Sequence, residues 1–107
     1  MSDYKLRYLP IFFEDLEKTA FYIASNLRNP KAADDLVDDV ENAIIERVPI
    51  CEDFEPYHSL IERKHPYYRI YVKNYVVYYV VIDDESDYKI MEVRRLLYKG
   101  RDRKRMI

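Results

Sequence analysis

A single glycine, one cysteine and no tryptophan occur among the 107 residues, and each shortage excludes something. With no Ser-, Gly- or Pro-rich tract, nothing resembles a flexible linker or a low-complexity tail. One ordered domain over 1–107 is therefore expected, because this length supports one compact core and not two. The lone Cys51 cannot close an internal disulfide, which agrees with a reducing, cytoplasmic location. Its neighbours Glu52 and Asp53 are carboxylates that raise a thiol's pKa, so Cys51 makes a poor nucleophile. No apolar run approaches membrane-span length, and the first ten residues lack the basic end and apolar stretch of a secretory signal. A soluble protein with no membrane partner is expected. His58 and His65 have no further ligands at metal-binding spacing, so neither a metal nor a cofactor is expected.

Charge and tyrosine are plentiful. The formal net charge of -2 hides a separation along the chain. Pro10 to Pro56 carries 12 acidic and 4 basic side chains, whereas Lys89 to Ile107 carries 8 basic and 2 acidic. An anionic partner would therefore meet the C-terminal part. The 12 tyrosines suit packing in strands, where a ring is buried while its hydroxyl stays wet.

Periodicity predicts the elements. Residues Asp3 to Leu9 alternate as a half-buried strand that Pro10 stops. Phe13, Leu16, Ala20, Ile23, Ala24 and Leu27 then recur at helical spacing, with Glu14, Asp15 and Glu17 placed in the first turn, where the helix dipole favours acids. Asn29 as cap and Pro30 at the first helical position open a second helix. Its apolar stripe runs Ala33, Leu36, Val37, Val40, Ile44 and Val48 until Pro49. Pro49 to Pro66 has no sustained period and reads as an irregular connection. Tyr67 to Val72 and Tyr75 to Ile82 are Val-, Ile- and Tyr-rich and flank Lys73-Asn74, in which Asn74 can take the left-handed conformation of a hairpin turn. Tyr88 to Leu97 completes the set.

The expected fold is α+β, in the order β-α-α-β-β-β: an antiparallel four-stranded sheet covered on one face by an antiparallel two-helix hairpin. A two-residue turn sets Arg69 opposite Tyr78 and Ile70 opposite Val77. Ile70, Val72, Val77, Tyr79 and Val81 then face the helices. Tyr67, Arg69, Tyr71, Val76 and Tyr78 line the other face, which reads as an aromatic surface meant to meet a partner.

Over nearly its whole length the chain resembles the RelE/ParE toxin superfamily, the toxin halves of bacterial type II toxin–antitoxin pairs. The resemblance rests on the element order and on the Asn29-Pro30-x-x-Ala33 entry to the second helix. It rests also on Tyr68-Arg69, Asn74-Tyr75-x-Val77-Tyr78-Tyr79-x-Val81, and the ending Val93-Arg94-Arg95-Leu96-Leu97-Tyr98-Lys99-Gly100-Arg101-Asp102. It implies a cognate antitoxin through which any oligomer forms, and one of two targets. ParE-like members occupy DNA gyrase without a recognised hydrolytic site; RelE-like members cut messenger RNA on the ribosome. If the chain is RelE-like, the resemblance assigns catalysis to Arg69, Tyr98, Lys99 and Arg101, and in either case target or antitoxin binding to Tyr71, Tyr78, Arg94, Arg95, Arg103 and Arg105. RelE-like enzymes usually have arginine after the tyrosine that opens the third strand, whereas Val76 follows Tyr75 here. Losing such a phosphate-binding cation would remove roughly 2–4 kcal/mol of transition-state stabilisation, which favours the ParE-like reading. A third reading is an inactive relative that acts only as a regulatory partner.

Overall fold

In the computed structural model, residues 3–56, 64–83 and 85–100 are described. The fold is α+β, with two helices and a four-stranded sheet. Strand β1 (Asp3–Tyr8) leads into helix α1 (Pro10–Phe21), which runs on into a π-helical turn at Tyr22–Asn26. Helix α2 (Pro30–Arg47) ends in a short 3-10 turn at Val48–Ile50. Strands β2 (Tyr68–Val72), β3 (Tyr75–Ile82) and β4 (Tyr88–Tyr98) follow, and the sheet order is β1-β4-β3-β2.

The sheet is mixed, not antiparallel as expected. Strands β2, β3 and β4 form antiparallel pairs, but β1 pairs with β4 in parallel, from Asp3 opposite Tyr88 to Tyr8 opposite Val93. Hairpins dictate antiparallel pairing only between strands joined by short turns. The long path through both helices separates β1 from β4, so no turn constrains their relative direction.

Helix α1 begins earlier than the periodicity suggested. Leu9 is extended (φ -79, ψ 145) and Pro10 takes the first helical position, where its missing N–H leaves nothing unsatisfied. The inward line is consequently Phe12, Leu16, Ala20 and Ile23, and Phe13 is exposed beside the rings of Tyr8 and Phe12. No acid lies in the first turn, and Asp15 points inward. Helix α2 starts as expected: the Asn29 side-chain oxygen accepts the Ala32 N–H at 3.1 Å, and Ala33, Leu36, Val40 and Ile44 are buried.

Those helical residues share one core cluster with Ile70, Val72, Val77, Tyr79, Met91, Val93 and Leu96. Burying each large apolar side chain contributes roughly 1.5–3 kcal/mol. The hairpin register is as expected, with Arg69 opposite Tyr78 and Ile70 opposite Val77. Lys73, not Asn74, takes the positive φ of the turn, at 54°.

A second buried cluster, Tyr67, Val76, Tyr78, Val80 and Leu97, lies on the opposite face of the sheet. The expectation of an open aromatic surface there is corrected, since Tyr78 and Val76 are 0% exposed and Tyr67 is buried. Of the residues placed on that face, only Tyr71 is largely exposed, at 55%.

Candidate functional site

The bulge in β4 decides what its arginines do. Tyr78 lies opposite Arg95 and Tyr79 opposite Val93, so Arg94 has no counterpart on β3. Glu92, itself buried, accepts hydrogen bonds from Arg94 and from Arg7. Burial pushes the Glu92 carboxyl up, but the bonds from Arg7 and Arg94 outweigh it and hold the group below its usual value. Arg94 also reaches the Tyr67 hydroxyl at 3.4 Å. Arg95 grips both carboxylate oxygens of Asp15, at 2.8 and 3.0 Å. Two of the proposed binding cations are therefore engaged in ion pairs within the fold.

Among the described residues, the structure does not bring Arg69 and Tyr98 of the proposed catalytic set together. Arg69 shares a face with Tyr78, whereas Tyr98 lies opposite Tyr75, and Tyr75 packs against the helical core. Alternation along β3 puts Tyr75 and Tyr78 on opposite sides, so Arg69 and Tyr98 are on opposite sides too. The Arg69 guanidinium lies 5.7 Å from the Tyr71 ring centre, within cation–π range. Lys99 follows Tyr98 and its backbone N–H donates to the Asn74 carbonyl at 2.8 Å. Arg101, Arg103 and Arg105, like His58, lie outside the described residues.

A cleft of about 770 Å³ opens between α1 with its π-helical turn and the far ends of β3 and β4. Its lining includes Asp15, Lys18, Tyr22, Asn74, Tyr75 and Tyr98. Of the described residues proposed for catalysis or binding, only Tyr98 lines it, 54% exposed, with its ring 5.8 Å from that of Tyr75. Burial, reinforced by the nearby Tyr98 and Tyr22 hydroxyls, pushes Tyr75 above its ordinary value. A phenol shifted in that direction is poorly suited to accept or shuttle protons near neutral pH. The cleft therefore offers stacking rings, hydroxyls, an amide and a cation, which is equipment for binding.

The sequence did carry one signal of this site. Asp15 and Lys18 fall three apart and Lys18 and Tyr22 four apart on one helix, so all three share a face, and Asp15 interrupts an apolar stripe. A charged residue in such a stripe must find a partner when buried, here Arg95 together with the Leu96 N–H at 3.1 Å.

Other polar groups serve the scaffold. Tyr79 donates to the Cys51 carbonyl at 2.7 Å, and Arg47 donates to the Tyr79 hydroxyl and to the Arg69 carbonyl while stacking over Phe54. Glu52 accepts from Tyr4 and Lys89, tying the connection after α2 to β1 and β4. Burial, with Glu52 beside it, pushes the Cys51 thiol up to about 11, and the side chain is fully buried. No helix among the described residues is long and apolar enough to cross a membrane. No family model matches the chain, and no curated protein matches it either.

Proposed function

We propose that this protein is a growth-inhibiting toxin of the ParE-like kind, which acts by occupying an essential target and is neutralised by a cognate antitoxin. The observation that carries the choice of binding over catalysis is the placement of Arg69 and Tyr98 on opposite faces of the sheet. RNA cleavage needs a base, a cation and a proton donor around one phosphate, and these two residues cannot share one. The resemblance in element order and in the Asn29-Pro30, Tyr68-Arg69 and Val93–Asp102 segments supports the toxin assignment. On this reading the helices form an antiparallel hairpin that seals one face of the sheet, and the basic C-terminal run meets target or antitoxin. DNA gyrase is the target that the resemblance names.

Induced expression in bacteria, followed by assays on purified protein, tests this. Growth arrest together with loss of gyrase supercoiling in vitro is the expected result. Growth arrest with cleavage of ribosome-bound message, abolished by Arg101→Ala, would replace it with the RelE-like reading. Normal growth with supercoiling untouched would leave a regulatory partner without toxic activity.

A further inference from the structure

Strand β4 is longer than its neighbour. Pairing with β1 stops at Tyr8 opposite Val93, yet β4 continues to Tyr98. The bond from the Lys99 N–H to the Asn74 carbonyl identifies Tyr75 and Tyr98 as a pair that does not exchange hydrogen bonds. Leu96, two residues earlier, is in the same phase opposite Val77. The backbone groups of Leu96 and Tyr98 accordingly point away from β3, toward the side that β1 has vacated.

Asp15 answers one of them, the Leu96 N–H, as a stand-in for a strand neighbour. The Leu96 carbonyl and the Tyr98 N–H and carbonyl face the cleft beside α1, where no hydrogen bond engages them among the described residues. The charge of the cleft is uneven as well. Asp15 is paired with Arg95, whereas Lys18 is exposed on the cleft wall and forms no ion pair with an acid among the described residues, so its ammonium can meet a carboxylate. Tyr22 and Leu27 line it as well, and both are exposed.

We infer that this cleft binds an extended, acidic peptide segment of another protein, which pairs with the Leu96–Tyr98 edge of β4 and sets a carboxylate against Lys18. Backbone pairing supplies affinity, and alternate side chains supply specificity: an apolar one over Tyr22 and Leu27, an acidic one toward Lys18. The volume of about 770 Å³ is that of an ordinary ligand site. The inference goes beyond the toxin reading and does not require it.

A fluorescently labelled protein probed against an array of random hexapeptides tests it. Binders are expected to share an aspartate or glutamate two positions from an apolar residue. Methylating the two backbone nitrogens that flank that acid should weaken binding about tenfold or more, since two hydrogen bonds are lost. Lys18→Glu, an exposed substitution that leaves the core alone, should turn the preference from acidic to basic peptides. The inference is overturned if no hexapeptide binds, if N-methylation changes nothing, or if Lys18→Glu leaves the preference acidic. Binding of oligothymidylate in place of any peptide would also overturn it and would assign the cleft to nucleic acid.

Discussion

Arg28 ends the first helical stretch at φ 52°, while the Asn29 N–H reaches back to the Ile23 carbonyl at 3.1 Å. A Cβ in the left-handed region costs roughly 1–2 kcal/mol, offset in part by the greater freedom that glycine loses on folding. Arg28→Gly is therefore expected to raise stability by about 0.5–1 kcal/mol, read as a higher urea midpoint with an unchanged slope. An unchanged or lower midpoint would mean that the arginine side chain contributes more than its backbone strain costs. Lys73 occupies the same region at 54° in the β2–β3 turn, but it also lies 3.1 Å from Asp39, so a glycine there would remove an ion pair along with the strain.

Strand β4 is held on both edges by β1 and β3, and its charged residues join it to the elements around it. Asp15 of α1 satisfies Arg95 and the Leu96 N–H together, so Asp15→Ala leaves a half-buried guanidinium without its carboxylate. A loss of roughly 3–5 kcal/mol is expected. Asp15→Asn, which keeps an acceptor for Leu96, should lose less, and equal losses would show that the Leu96 bond contributes nothing. Glu92 gives a pH signature. Its carboxyl is held below 4.5, the ordinary value, so its contribution is complete above about pH 4.5 and disappears as the pH falls through the depressed folded value. Stability should decline on acidification in that window, and Glu92→Gln should flatten the decline. An acid limb of the same slope in the variant would assign the decline to other carboxylates.

At the scale of the whole molecule, burial is concentrated in the sheet centre. Val76 to Val80 of β3 are 0% exposed on both faces, so their amides are expected to exchange with solvent only on global unfolding, and the Tyr71 amide on the outer edge much sooner. Hydrogen exchange read by NMR checks this, and rapid exchange at Val77 would reject it. What was legible in the sequence follows the range of the forces involved. Asn29-Pro30 and Lys73-Asn74 act over a few residues, so the start of α2 and the register of Arg69 against Tyr78 could be read directly. The direction of β1 and the burial of Tyr78 depend on segments far away in the chain, and no local pattern carries them. The cleft lay between these extremes: Tyr98 stood out and the spacing of Asp15, Lys18 and Tyr22 put them on one helix face, but only the extension of β4 beyond β1 shows what that face borders.

The parallel pairing of β1 with β4 ties Asp3 to Tyr88, so the first strand has no neighbour until most of the polypeptide has been made. During synthesis the emerging N-terminal half holds an unpaired strand and two helices whose apolar stripes lack the sheet that covers them. The fold can close only after Tyr88 to Tyr98 leave the ribosome, and a message cut short before that point would yield a product that proteases can remove.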